Sequence, residues 1–364
     1  MSRGDSDPLR VGCHSRAIAR WRVASDSGFV RVAIPVCNSF RGACRPDAAS
    51  CRRRDQAVDL RYDRAMNVLV LGGSGFLSGT VVRRALAAGN RVWVVTRGRR
   101  PVPDGAVAIV ADRHDADAFA SAVGRIDAPV DLVVDCIAFT PADAQQDVDV
   151  FGPMRARLVL VSTDFVYDPA RRRFPQTEDD ADYLVDLYGG LKRQAEQVLL
   201  RTGAKPLRWS VVRPGHIYGP GSLLGCLPPG GRDADLIGKI ESGSRIPLVG
   251  GGRFLQQPVY VDDLARVIFD VGSTDATVGG IYNVAGPDTV ESVEYYRIVA
   301  AAIGKELLVD EVPVASYLAE NPDRASFLCH RFYSLDKLIG AGVRPPDTPL
   351  ATGLGLQVES LRSS

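Results

Sequence analysis

Tyr188 and Lys192 stand four residues apart in Tyr188-Gly189-Gly190-Leu191-Lys192. On a helix that spacing puts both side chains on one face, with the Lys192 ammonium beside the Tyr188 phenol. A phenol of ordinary pKa, about 10, is a poor base at neutral pH, and an adjacent cation lowers that value by favouring the phenolate. The pair therefore suits removal or donation of a hydroxyl proton while hydride moves. A second candidate, Ser162-Thr163-Asp164-Phe165-Val166-Tyr167, closes an apolar run with hydroxyls able to orient a substrate oxygen. A third is the turn Gly72-Gly73-Ser74-Gly75, followed by Phe76 and Leu77. Glycines there let the backbone approach a pyrophosphate, whose oxygens meet free N–H groups and the positive end of a helix. Ser78 takes the place of the third glycine in a Gly-x-x-Gly-x-x-Gly pattern and is small enough for helix to pack closely on strand.

These groups need elements to position them. Asn67–Leu71 is a β-branched and aliphatic run ahead of the glycine turn, and Leu77, Val81, Val82 and Ala85 recur at helical spacing before Gly89. That pattern predicts strand, turn and helix. Further buried strands are expected at Arg91–Thr96, Val107–Val110, Val130–Cys136, Arg157–Ser162 and Trp209–Arg213, mostly with helix-forming segments between them. Continuous apolar strands alternating with helices predict an α/β chain whose parallel sheet is covered on both faces. After Pro214, glycine- and proline-rich loops with short helices around Asp235–Glu241 and Ser292–Ile303 predict a smaller cap over the carboxyl edge of the sheet. Ligands bind at that edge in open α/β sheets.

The second strand ends Val95-Thr96-Arg97-Gly98-Arg99-Arg100, and Thr96, 24 residues after Gly72, stands where a carboxylate would take a ribose 2′-hydroxyl. Arg97 beside it suits a 2′-phosphate, so the expected cofactor is NAD(P), with NADP(H) preferred. Asp112, just after the third strand, is placed to accept from the adenine amino group.

Composition sets outer bounds. The chain has 364 residues, 46% hydrophobic and 24% charged, with a net charge of +1, the profile of one large or two modest globular domains. No apolar run approaches the roughly 18 residues of a membrane span. The balanced charge lacks the concentrated basic face of a nucleic-acid binder. Residues 1–65 nevertheless hold 13 Arg, no Lys and 7 Asp, a net of +6, leaving 31 basic and 36 acidic side chains, a net of −5, in the other 299. Cys13, Cys37, Cys44 and Cys51 lie in that first stretch at separations of 24, 7 and 7, which fit no zinc-ligand spacing, and no metal site is expected. The stretch has no sustained period and no signal-peptide core, and is expected to be a disordered extension or translated sequence upstream of a start at Met66. Arginine outnumbers lysine 39 to 5, a bias of GC-rich coding DNA. With Cys136, Cys226 and Cys329 scattered through the rest, a cytoplasmic setting is expected.

From Met66 to about Leu361 the chain resembles the extended short-chain dehydrogenase/reductase superfamily, in its nucleotide-sugar epimerase/dehydratase branch. The matching segments run in order: the glycine turn, Ser-Thr-x-x-Val-Tyr at 162–167, Tyr188-x-x-x-Lys192, Arg213-Pro214-Gly215-His216-Ile217-Tyr218-Gly219-Pro220-Gly221, Val259-Tyr260-Val261-Asp262-Asp263-Leu264-Ala265 and Ile281-Tyr282-Asn283-Val284-Ala285-Gly286. The resemblance implies a Rossmann-type doubly wound parallel sheet over residues 66–220. A smaller substrate-binding α/β cap over 221–364 would send some segments back to the Rossmann core. It implies catalysis by Thr163, Tyr188 and Lys192, with Lys192 also bonding the nicotinamide ribose, Asp164 helping to position the substrate, and a homodimer paired through two sheet-flanking helices.

Departures from the family narrow the chemistry. Phe165 stands where 4,6-dehydratases place a glutamate that abstracts a carbon-bound proton, which disfavours dehydration. Gln256 stands where many members have an arginine for the substrate diphosphate, and Arg253 and Arg331 are the candidates to compensate. His216 and His330 read as structural or loop residues. We expect an NAD(P)-dependent epimerase-type oxidoreductase acting on a nucleotide-activated sugar, with a keto-sugar reductase as the alternative. In a different class stand RNA-associated, non-catalytic relatives of the same fold. The intact Thr163, Tyr188 and Lys192 and the −5 charge of residues 66–364 speak against these.

Overall fold

Seven short runs of Val, Leu and Ile pair in parallel in the computed structural model, which describes residues 65–228 and 231–363. They are β1 (Asn67–Leu71), β2 (Arg91–Thr96), β3 (Val107–Val110), β4 (Leu132–Asp135), β5 (Arg157–Val161), β6 (Arg208–Pro214) and β7 (Ile281–Val284). Their order across the sheet is β3-β2-β1-β4-β5-β6-β7, and every neighbouring pair is parallel. Helix α1 (Phe76–Ala87) links β1 to β2, α2 (Ala116–Val123) links β3 to β4, α3 (Pro141–Phe151) links β4 to β5, α4 (Leu187–Thr202) links β5 to β6, and α5 (Val261–Ser273) precedes β7. The strand order reverses between β1 and β4, which opens a crevice at the carboxyl ends of those strands. This is a Rossmann-type α/β fold.

Alternation along each strand divides the core into two layers. Val68, Val70, Val92 and Val94 face Val81, Val82 and Ala85 of α1 and Leu264 and Ile268 of α5. Leu69, Leu71, Trp93, Leu158 and Leu160 face Phe119, Phe151, Ala195 and Leu199 of α2, α3 and α4. A third cluster, with Tyr218, Leu248, Tyr295, Val299 and Leu354, holds the cap helices Leu236–Glu241, Ser292–Ala302 and Leu350–Arg362 together.

β3 corrects one expectation. It is not a buried strand, for Val107 is 47% and Val110 69% exposed, because β3 is the outer strand with a neighbour on one side only. Ile281–Val284, singled out only as part of a motif, supplies the seventh strand. No helix among the described residues is long and apolar enough to cross a membrane. The expectations for residues 1–64, including Cys13, Cys37, Cys44 and Cys51, lie outside the described residues.

Candidate active site

The glycine turn leaves β1 with Gly72 at φ +97°, and a Cβ there would come within 2.5 Å of Ile137 Cγ2. Only glycine tolerates both conditions. Ser78 ties the turn to α1, since its hydroxyl donates to the Gly72 carbonyl and accepts from the Gly75 N–H, each at 3.0 Å. Beside the turn opens a cavity of about 340 Å³ whose wall includes Gly72, Ser74, Thr96, Arg97, Asp112 and Phe139. Arg99, Arg100 and His114 line it as well, and Asp112 is spent in part on the His114 N–H at 3.1 Å. A backbone cradle at a helix N-terminus beside several arginines fits a dinucleotide. Gly73, Phe76 and Leu77 lie off this wall. Gly73 packs against Val94, Phe76 lies under the Arg232 guanidinium at 5.6 Å, and Leu77 packs on the core.

Sequence reasoning missed Arg113, a wall residue 6% exposed whose guanidinium reaches Asp135 at 2.6 Å, Asp147 at 3.0 Å and Asp143 at 3.3 Å. Three carboxylates around one cation leave excess negative charge. Burial first, and Asp135 next, push the Asp147 carboxyl well above its usual range. An aspartate at a strand end with two more four apart on α3 was the available signal.

The acid/base candidates meet at the carboxyl end of β5. Thr163 caps the short helical turn Asp164–Val166 by accepting from the Phe165 N–H at 3.2 Å. α4 starts against that turn. A Cβ on Gly189 would sit 2.0 Å from the Phe165 carbonyl oxygen, so glycine is what lets the helix approach. Leu187, at φ +56°, holds an unfavourable left-handed conformation immediately before Tyr188. The Tyr188 ring lies between Phe139 and Phe165, with centroids at 6.5 and 6.2 Å, and is 49% exposed. Partial burial raises the phenol pKa, while Thr163 opposes part of that rise.

Lys192 is held by backbone carbonyls. It is 2% exposed and donates to the Ala138 carbonyl at 2.7 Å and the Val161 carbonyl at 2.6 Å, so its charge serves the ends of β4 and β5. Burial lowers its own pKa, against the pull of Asp135 and Glu196. One turn further along, Glu196 locks α4 to the sheet. It accepts from Arg213 at 2.9 and 2.6 Å and from the Ser162 hydroxyl at 2.6 Å.

Asp164 is 2% exposed and bonds Arg331, Arg172 and Tyr333. Burial alone would raise its pKa, but the guanidinium groups of Arg331 and Arg172 and the Tyr333 hydroxyl hold it below the usual carboxylate range. Its carboxylate is thereby taken up by these three partners. Arg331 is committed to that carboxylate, with its guanidinium 4.3 Å from the Phe165 ring centroid. Arg253 is exposed, and Gln256 is fully buried. The Arg331 N–H donates to the Leu255 carbonyl at 2.8 Å, which sets it beside the Gln256 segment.

The family described as NAD dependent epimerase/dehydratase matches residues 68–285. The chain belongs to that family. It is an enzyme of the family's NAD-dependent type. Among its relatives, a 2′-dehydrokanamycin reductase of Streptomyces kanamyceticus is 28% identical over 267 residues, covering 72% of this chain and 74% of that protein. A dTDP-4-dehydrorhamnose reductase of Mycolicibacterium smegmatis is 28% identical over 66% of this chain and 71% of its own. The UDP-glucose 4-epimerase of Thermotoga maritima, solved with UDP-glucose, shares the fold with a TM-score of 0.67 at 20% identity, over 82% of this chain and 99% of that one.

Proposed function

We propose that this member of the epimerase/dehydratase family is an NADP(H)-dependent oxidoreductase that moves hydride at one hydroxyl-bearing carbon of a nucleotide-activated sugar, in the reducing direction. The observation that carries this reading is the packing of the Tyr188 turn of α4 directly against the Thr163–Val166 turn, with a cation-lined cavity alongside. A phenol holds its proton at neutral pH and can pass it to an oxygen that becomes basic as hydride arrives.

Thr163 holds the substrate carbonyl oxygen, and Tyr188 donates its proton to that oxygen as the carbonyl becomes a hydroxyl. Bound NADPH supplies the hydride. Lys192, fixed on two backbone carbonyls, has one ammonium N–H left for a ribose hydroxyl. Arg97 and its neighbours Arg99 and Arg100 meet the 2′-phosphate, and Asp112 takes the adenine amino group. The curated relatives named above, both reductases, favour this direction. Epimerisation is the second reading, favoured by the family match, and runs the same groups in both directions with no net change in cofactor. A homodimer through α3 and α4 accompanies the proposal, since Leu191 and Leu200 of α4 remain 41% and 43% exposed.

The test is to identify any copurifying dinucleotide by mass and to assay UDP- and dTDP-sugars with and without NADPH. Stoichiometric NADPH loss supports reduction, and product without net loss supports epimerisation. Tyr188→Phe should cut turnover about 10³-fold while dinucleotide affinity stays within about twofold. Near-normal rates in that variant refute the assigned role.

A further inference from the structure

One buried guanidinium bridges two carboxylates that between them hold four consecutive backbone N–H groups. Asp135 Oδ1, at the end of β4, accepts from the Ile137 and Ala138 N–H groups at 2.6 and 2.9 Å. Asp143 Oδ2, in the first turn of α3, accepts from those of Phe139 and Thr140 at 2.8 and 2.9 Å. Arg113 spans the other oxygens, Asp135 Oδ2 at 2.6 Å and Asp143 Oδ1 at 3.3 Å. Backbone N–H groups need acceptors, and an ionised carboxylate is a strong one. The turn 136–140 is therefore held from behind by a charged clamp.

That turn carries three parts of the site. Ile137 fills the space that a Cβ on Gly72 would enter. The Ala138 carbonyl accepts from Lys192 at 2.7 Å. Phe139 lies on the cavity wall, its ring centroid 6.5 Å from that of Tyr188 and 5.3 Å from the Lys192 ammonium. Arg113 directly follows Asp112, another wall residue, so Asp135 also fastens the segment after β3. Its charge acts in the same sense as its bonds. Burial lowers the Lys192 pKa, and Asp135 opposes that fall ahead of Glu196, Cys136 and Asp143.

We infer that Asp135 is a positioning residue of the site, clamped by Arg113, which sets through residues 137–139 where Lys192 stands and how the dinucleotide wall is shaped. The inference rests on the dinucleotide reading of the cavity and deepens it. Asp135 is fully buried and acts through the backbone.

The experiment reads Lys192 directly. The full chain is labelled with trace acetic anhydride, and peptide masses give the rate at Lys192 relative to Lys205, Lys239, Lys305 and Lys337 as internal references. Asp135→Asn keeps the size, but a carboxamide accepts at one oxygen only and must release either Arg113 or the two N–H groups. Lys192 should then label about tenfold faster against the references, and NADPH affinity should fall about tenfold, the scale of losing hydrogen bonds to a charged group. Asp147→Asn is the control, since that carboxylate reaches Arg113 but not the turn, and it should leave the Lys192 rate within about twofold. An unchanged Lys192 rate in folded Asp135→Asn, a rise shared by all five lysines, or an equal rise in Asp147→Asn would each overturn the inference. So would faster labelling with NADPH affinity unaltered. If Asp135→Asn does not fold, Arg113→Lys, which keeps the cation but serves one carboxylate at a time, should raise the Lys192 rate about threefold, and no rise overturns the inference. A wild type that does not bind NADPH refutes the cofactor part of the proposed function, and the labelling ratios then decide the inference alone.

Discussion

Gly189→Ala sets helix propensity against geometry, and the structure decides which wins. In an ordinary helix interior, alanine for glycine stabilises by up to about 1 kcal/mol. Here the new Cβ would lie 2.0 Å from the Phe165 carbonyl oxygen and 2.7 Å from its carbonyl carbon, where real contacts stay beyond 3.0 Å. Both clashing atoms are backbone, so no rotamer change relieves them. The first turn of α4 must therefore retreat by about 1 Å from the Asp164–Val166 turn, and Tyr188 moves away from Thr163 with it. A misplacement of about 1 Å in a reacting group costs roughly 10²-fold in rate. We expect Gly189→Ala to lower the single-turnover rate of NADPH oxidation about 100-fold with a 4-keto-sugar substrate. Dinucleotide affinity, read by quenching of protein fluorescence, should stay within about twofold, because the cavity wall is built from the end of β2 and the residues after β1, β2, β3 and β4. The melting temperature should fall despite the better helix former. An unchanged rate together with a raised melting temperature would refute the packing argument for this glycine.

Two further perturbations test the parts around the site. Replacing Arg97 and Arg99 together by alanine should weaken NADPH by about tenfold or more and leave NADH nearly unchanged, with the NADPH loss shrinking as salt is added; equal weakening of both dinucleotides would remove the 2′-phosphate assignment. Glu196→Ala strands the fully buried Arg213 guanidinium and should cost about 3–5 kcal/mol in urea unfolding. A loss below about 1 kcal/mol would mean that this ion pair does not anchor α4.

Much of the scaffold was legible because its signals are local. β1, the glycine turn and α1 follow from an apolar run, a backbone that must come close, and helical spacing over a dozen residues. β2 and β3 have the bounds that their apolar runs suggested. β7 was harder to see, since four residues flanked by glycines carry little periodicity, and it becomes a strand only because β6 offers an open edge. The exposure of β3 likewise depends on its place at the rim of the sheet. Type and spacing singled out Thr163, Tyr188 and Lys192, and also Gly72, Thr96, Arg97 and Asp112, which lie on the cavity wall. The partners of each group were not found that way.

By itself the chain's order of residues determined which chemical groups this protein has and roughly where each falls along strand ends and helix starts. Tertiary structure alone decided what those groups do to one another. Lys192 donates to Ala138 and Val161, and Asp164 is consumed by arginines 8 and 167 residues away. Periodicity and composition are properties of neighbours in sequence, whereas a hydrogen bond or a pKa answers to whatever the fold brings within a few ångströms.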